Sequence, residues 1–240
     1  MTKEKLKQFK KALKINKPIL GIGFSKKLPN NYQHYKDTAC TALARAFSKK
    51  ETLVFGAKKF PQLCSGGDYF LKLSSINDYE AMDVYVNDEH VFKDRKICKE
   101  FTESLPKLPN NLKNKFITIK PFQINDQPEI IIILANPAQV GRIIGLLNYE
   151  KYNEIKIYPN QPTCLSFFAP LVTKLPHLNF IDYYDRYYQG YVNNKYIWKE
   201  NEMIISLTFE QFKEMLNNLN KSPQGIYNRV NIKTQKVSII

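Results

Sequence analysis

The stretch EIIIILANPAQVGRIIGLLNY, residues 129–149, decides the fold class. Every position from Ile130 to Ala135 is apolar, which is typical of a strand that is covered on both faces of a sheet. Asn136 can cap a helix with its side chain, and Pro137 suits the first helical turn. The residues that follow recur with helical spacing at Val140, Ile143, Ile144 and Leu147. The stretch therefore predicts a central strand that leads directly into an amphipathic helix.

Short apolar or alternating segments elsewhere in the chain predict further strands. They lie at 18–24, 51–57, 115–122, 155–159, 178–185 and 202–207. Apolar stripes at helical spacing predict the helices, which lie at 37–48, mainly within 76–104, at 160–172 and at 208–219. Strand and helix alternate in the second half, which indicates an α/β or α+β fold with a mixed sheet and flanking helices. We expect one layered domain over 1–240, with a soft internal boundary near 105–114 and a tail or edge strand at 221–240.

Composition restricts the function classes. The chain has 240 residues and a formal net charge of +14, carried almost entirely by lysine. The lysines are scattered and accompany no nucleic-acid-binding motif, so nucleic-acid binding is the least favoured of the functions considered. No apolar run approaches the ~20 residues that a membrane helix needs. The N-terminal stretch has no apolar signal core, and we therefore expect a cytoplasmic protein without a membrane partner.

Three of the four cysteines lie in similar local contexts. Cys40 is near the start of a predicted helix, Cys64 precedes the glycine turn of Gly66 and Gly67, and Cys164 follows Pro162 in a first helical turn. Free backbone N–H groups at such places stabilise a thiolate, which is the form that binds metal or attacks as a nucleophile. Buried structural thiols would show the same pattern. The fourth, Cys98, lies on the apolar face of a predicted helix, where we interpret it as a core residue.

The NPAQ segment at 136–139 has two interpretations. It ends a buried strand and begins a helix, which is where ligands bind in many α/β sheets, so Asn136, Gln139 and Arg142 are candidate ligand-binding residues. Simple capping explains the same segment, with Asn136 and Pro137 starting the helix and the other two side chains facing solvent. The sequence leaves both interpretations open.

Several stretches together carry a resemblance to a known family. They are KPILGIGF at 17–24, CTALARAF at 40–47, CSGGDYFLKL at 64–73, LANPAQVGRIIGLLNY at 134–149 and PTCLSFF at 162–168. In their order and spacing the chain resembles the family called domain of unknown function 169, whose members are uncharacterised cytosolic proteins of archaea and anaerobic bacteria. The resemblance carries over to six positions: Cys40, Cys64, Gly66, Pro137, Gln139 and Cys164.

Grouped in this way, the three cysteines are the predicted metal ligands. Three thiolates leave one iron of a [4Fe–4S] cluster open to an unidentified small molecule, or one position of a zinc ion exchangeable. The anaerobic members of the family favour iron–sulfur, with a redox or catalytic role that the sequence does not specify. The alternative is a metal-free protein that binds a small molecule or anion, or serves as an accessory protein, with structural cysteines. The sequence does not decide whether the protein is an enzyme, and it does not indicate an oligomeric state.

Overall fold

The computed structural model describes residues 1–28, 33–34, 38–56, 77–109, 115–157 and 163–225. The helices are α1 Lys3–Leu13, α2 Ala39–Lys49, α3 Asp78–Asp83, α4 Arg95–Ser104, α5 Pro137–Leu147, α6 Thr163–Phe168, α7 Pro170–Thr173 and α8 Phe209–Asn217. π-Helical turns span Val84–Asp88 and Asp185–Gln189. The strands are β1 Leu20–Ser25, β2 Gln33–His34, β3 Leu53–Gly56, β4 Phe116–Pro121, β5 Ile130–Ala135, β6 Lys156–Ile157, β7 His177–Asn179, β8 Tyr191–Val192, β9 Lys195–Tyr196 and β10 Met203–Thr208.

Eight of these strands form one mixed sheet, in the order β2-β3-β4-β1-β5-β10-β7-β6. The pairings β2·β3 and β6·β7 near the two edges are parallel, and the five pairings between them are antiparallel. The remaining two strands, β8 and β9, form a small separate hairpin. The predicted mixed sheet with flanking helices is confirmed.

The sheet is covered on both faces, as the apolar sequence of β5 predicts. Ile130, Ile132 and Leu134 pack into one core cluster together with residues of α2 and α6. Their neighbours Ile131, Ile133 and Ala135 pack into a second cluster with residues of α1, α5 and α8. Because successive strand residues point to opposite faces, this alternation places β5 between two helical layers. All six residues of the strand are buried.

Two predicted elements are shorter than their sequences suggest. The strand predicted at 178–185 ends at Asn179, whose side-chain oxygen accepts a hydrogen bond from Ile181 N at 2.5 Å. Ile181 has a φ of 55°, which takes the chain out of the extended conformation and into the second π-helical turn. The helix predicted at 160–172 is divided into α6 and α7, because Pro170 starts a new turn.

Within the part of the chain that the structure describes, no helix has both the length and the apolar composition needed to cross a bilayer.

Candidate functional site

Cys40 and Cys164 occupy the same position in two different helices. Cys40 is the second residue of α2, which Thr38 caps with its side chain, and Cys164 is the second residue of α6. Both thiols are buried, with exposures of 3% and 1%. They belong to the same hydrophobic cluster on one face of the sheet. The fold therefore brings two of the three predicted metal ligands to one side of the molecule.

The carboxylate of Asp185 connects the two helix starts. It accepts a hydrogen bond from the backbone N–H of Thr163, the residue before Cys164, at 3.0 Å to Oδ2. It also accepts a hydrogen bond from the thiol of Cys40. Asp185 is only 7% exposed, and burial raises its pKa. These donors make a buried carboxylate tolerable at this place, since a buried carboxylate needs hydrogen-bond donors.

The residues that follow Asp185 close over the start of α2. Gln189 Oε1 accepts hydrogen bonds from the hydroxyl groups of Thr38 at 2.5 Å and Thr41 at 2.6 Å. The π-helical turn from Asp185 to Gln189 is thus attached to both helix starts.

Two further carboxyl groups lie beside Asp185. Protonated Asp182 donates a hydrogen bond to Asp185, and burial together with the charge of Asp185 raises the pKa of Asp182 to about 7. Burial and the charges of Asp185 and Asp182 raise the pKa of Glu89 to about 8. Among the residues that the structure places, none of these three acids has a Lys, Arg or His partner within 4 Å. The result is an acidic cluster whose members form no ion pair among the described residues, although Arg186 is close enough to Asp182 for their charges to interact.

Arg186 is adjacent to this cluster, but its guanidinium hydrogen-bonds to backbone carbonyl groups. Its guanidinium donates to the carbonyl groups of Phe180 at 2.7 Å, Ile181 and Glu202 at 3.2 Å each, and Lys199. The side chain is buried, and burial lowers its pKa. Arg186 therefore anchors the 180–202 segment, and its donors are already used.

Cys98 belongs to a different cluster from Cys40 and Cys164, and it is buried, as predicted for a core residue. It is completely buried in α4, in a small separate cluster with Tyr85, Leu105 and Leu165. Burial raises the pKa of its thiol to about 11, which disfavours the thiolate. Cys98 is a structural thiol and provides a natural control for the others.

The third predicted ligand, Cys64, lies outside the described residues, together with the turn at Gly66 and Gly67. Across the ranges that are described, no three His, Cys, Asp or Glu side chains are close enough to hold a metal ion. The three-cysteine metal site therefore stays a prediction, of which two members are now located.

Asn136, Gln139 and Arg142 line a second site, a cavity of about 520 Å³ between α1, α5 and the 199–202 segment. Asn136 and Gln139 cap each other: Gln139 N donates to Asn136 Oδ1 at 2.9 Å, and Asn136 N donates to Gln139 Oε1 at 2.8 Å. The capping interpretation is therefore confirmed for Asn136, whereas Gln139, which that interpretation left facing solvent, completes the cap with its side chain. Asn136 and Gln139 can cap the helix and line the cavity at the same time.

The side chains of Gln139 and Arg142 do not extend freely into solvent. Gln139 Nε2 donates to the carbonyls of Leu13 at 3.0 Å and Lys14 at 2.8 Å. Arg142 donates to the carbonyls of Ala12 and Gln224. Both residues tie the end of α1 to α5, so any ligand in this cavity would depend mainly on the lysines around it.

The acidic cluster has no counterpart in the sequence predictions. The spacing of Asp182 and Asp185 in IDYYD was a weak local signal, because an aspartate three residues before another suits a turn as well as a strand. Glu89 is far away in sequence and is brought in only by the fold.

Comparison with known proteins places the chain in one family. The sequence model of domain of unknown function 169, described as "Uncharacterised ArCR", matches residues 8–218. No curated protein matches the chain. No solved structure matches it either.

Proposed function

Since this chain belongs to the uncharacterised domain of unknown function 169 family, we propose that it binds an iron–sulfur cluster through Cys40, Cys64 and Cys164. The cluster would be of the [4Fe–4S] type, and zinc is the alternative metal. Three cysteine ligands leave one iron open, and that position would take a small molecule in a redox or catalytic role.

One observation carries the proposal. Cys40 and Cys164 occupy equivalent positions in two helices, and the Asp185 carboxylate joins the two helix starts through Cys40 and Thr163. Two cysteines that merely filled a core would need no polar group between their helices. Here a buried carboxylate lies between the two helix starts and contacts one of the thiols directly, which supports a chemical role for the pair of cysteines.

The chemistry of the two described residues fits a cluster. Both side chains are buried among apolar residues such as Leu43, Phe167 and Phe168, which exclude water. Cys40 must lose its proton to bind a metal, and Asp185 is already the acceptor of that thiol's hydrogen bond. When bound, the cluster would supply a Lewis-acidic, redox-active iron, and Asp185 would hold the proton that the thiol released.

A second candidate function has its own observation. The cavity of about 520 Å³ beside Asn136 is lined by Lys14, Lys17, Lys199 and the N-terminus of α5, and also by Glu202, which is paired with Lys17 at 2.8 Å. Positive side chains around a helix N-terminus favour an anion. A metal-free protein that binds an anionic metabolite there is the alternative function, with Lys199 lacking an ion pair among the described residues.

The test compares the cysteines with each other. We would purify the protein anaerobically and measure iron, zinc and acid-labile sulfide in Cys40→Ala, Cys64→Ala and Cys164→Ala, with Cys98→Ala as the matched control. Bound metal should fall to about background in the first three and stay at the wild-type level in the fourth. Thermal unfolding of each variant separates loss of metal from loss of fold.

The opposite pattern would support the second function. Metal-free protein in all samples, together with inorganic phosphate binding that Lys199→Gln weakens and Cys40→Ala leaves unchanged, would contradict the cluster. Lys195→Gln, an exposed lysine in the β8–β9 hairpin, serves as the charge-matched control.

A further inference from the structure

Trp198 carries a buried hydrogen-bond donor without an acceptor among the described residues. The side chain is only 1% exposed, and no atom of the described chain accepts a hydrogen bond from its indole Nε1. A buried indole N–H normally finds a partner, because water is no longer available to it. An unsatisfied donor in a protein interior costs free energy unless a bound group supplies the acceptor.

The chain around Trp198 is attached to the second π-helical turn. Ile197 N donates to the carbonyl of Gly190 at 2.9 Å, and the Arg186 guanidinium donates to the carbonyl of Lys199. The indole ring packs on Gly190, where an added Cβ atom would lie 3.0 Å from Cε3 of the ring. The ring of Trp198 and both of its neighbours in sequence are thus held against this turn.

The same turn contacts the two helices that carry the located cysteines. Asp185, its first residue, accepts hydrogen bonds from the Cys40 thiol and from the backbone N–H of the residue before Cys164. Helix α2 contacts α6, this turn and β8. Trp198, Cys40 and Cys164 also belong to one hydrophobic core cluster on one face of the sheet. The indole and the two thiols are therefore buried in the same layer of the core, and both ends of one short turn connect them.

Metal binding at the cysteines would bring sulfur acceptors into this layer. A thiolate or sulfide sulfur carries negative charge and accepts hydrogen bonds from N–H groups, and such bonds help to set the reduction potential of iron–sulfur sites. The side chains packed with the cysteines, such as Phe167 and Phe168, are apolar and offer no acceptor. An indole N–H that is fixed in an apolar layer is therefore suited to a sulfur that arrives with the metal.

We propose that the Trp198 indole N–H donates a hydrogen bond to a sulfur atom of the iron–sulfur cluster held by Cys40, Cys64 and Cys164. The inference rests on the proposed function and adds a residue that no motif of the sequence indicates. Hydrogen bonds to the sulfurs stabilise the additional negative charge of the reduced form, so they raise the reduction potential. Trp198 is thus a positioning residue that sets the potential and does not ligate the iron.

Replacement of the indole N–H by sulfur tests the hydrogen bond. Because Trp198 is the single tryptophan, benzothienylalanine can be introduced at this position alone, and it keeps the shape of the side chain without the N–H group. In anaerobic redox titrations, the ratio of reduced to oxidised cluster at a fixed potential should fall about tenfold, which is ~59 mV for one electron. Tyr187→Phe removes a hydroxyl of the same turn that donates to Glu200 at 2.9 Å, and should leave the potential unchanged. An unchanged or higher potential in the isostere, or an equal shift in the control, would overturn the inference.

The fluorescence of Trp198 tests whether the cluster binds beside it, and this measurement needs no substitution. Emission from the protein's single tryptophan should fall at least about fivefold when the cluster is loaded, because the cluster absorbs light broadly in the region of that emission. Cys98→Ala, which changes the structural thiol, should show the same loss. Emission that stays at the metal-free level in protein with full iron and sulfide content would overturn the inference and leave the proposed function intact. Wild-type protein that takes up no iron or sulfide would contradict the proposed function, and the inference with it.

Discussion

The raised pKa of Glu89 makes a specific prediction about stability. Its pKa lies at about 8 in the folded protein, against 4.5 for the unperturbed carboxyl group. Below pH 4.5 the group is protonated in both states and costs nothing. As the pH rises from 4.5 to 8, the unfolded chain releases the proton while the folded protein keeps it, so folded stability falls. Glu89→Gln removes this loss, because glutamine is neutral at every pH.

The size of the effect follows from the shift. Between about pH 5.5 and the folded pKa lie roughly 2.5 pH units, which at ~1.36 kcal/mol per unit correspond to an upper limit of ~3.4 kcal/mol. Glu89 is half-buried, so solvent screening reduces this value, and we expect about half of it to be measured. Relative to the wild type, Glu89→Gln should thus gain ~1.5–2 kcal/mol of stability between about pH 5.5 and about pH 8.5.

Denaturant unfolding at several pH values is the assay. Taking the difference between variant and wild type cancels the titration of the groups that do not interact with Glu89. Glu100→Gln, at an exposed position of α4, is the control and should show a constant difference. Curves for Glu89→Gln and wild type that stay parallel over the whole range would refute the reasoning, because Glu89 would then titrate normally.

Substitutions at three further positions test the packing around the sites. Gly190→Ala should destabilise the protein by about 1–3 kcal/mol, because the new Cβ would lie 2.6 Å from the carbonyl oxygen of Arg186 and 3.0 Å from the ring of Trp198; an unchanged denaturation midpoint would contradict this. Arg186→Leu should cost roughly 2 kcal/mol or more because it leaves buried carbonyls without donors, and Arg186→Lys should recover little, since an ammonium cannot replace the planar fork. Asn136→Ala should cost about 1 kcal/mol through loss of the cap to Gln139 N, and Asn136→Ser should restore most of it if capping is the reason.

Local hydrogen bonding explains why parts of the fold were predictable. The spacing of Thr208 and Gln211 in the sequence predicts a capping box, which is present, and the predicted cap at Asn136 is present too, with Gln139 as an additional partner. Continuous apolar sequence predicted β5 because a strand buried on both faces is mostly apolar. Cys98 was predicted to be in the core from its helix face alone, and it is buried.

The aromatic segment after β7 shows where such reasoning stops. Tyrosine-rich sequence favours strands on average, and 178–185 was predicted as one. The side chains of Asn179 and Asp182 instead accept hydrogen bonds from Ile181 N and Asp185 N, which turns the backbone away from the sheet. Such short-range hydrogen bonds between side chain and backbone compete with the hydrogen bonds of a β-sheet. Amino-acid composition does not reveal which of the two sets forms.

The candidate site depended even more on the fold. The similar settings of Cys40 and Cys164 could be recognised in the sequence, but not the carboxylate that joins their helices. Asp185 reaches Cys40 only because the sheet brings α2, α6 and the second π-helical turn to one face. Glu89 approaches from yet another part of the chain. Contacts between distant segments leave no periodic trace that a single sequence could show.

Iron and sulfide analysis of the wild-type protein tests the central claim most directly. The protein would be purified and reconstituted without oxygen, and its visible spectrum recorded beside the analysis. The account predicts about four irons and four sulfides per chain and a broad absorption band near ~400 nm, retained in Cys98→Ala and lost in Cys164→Ala. A colourless, folded protein that takes up neither iron nor zinc under these conditions would contradict it.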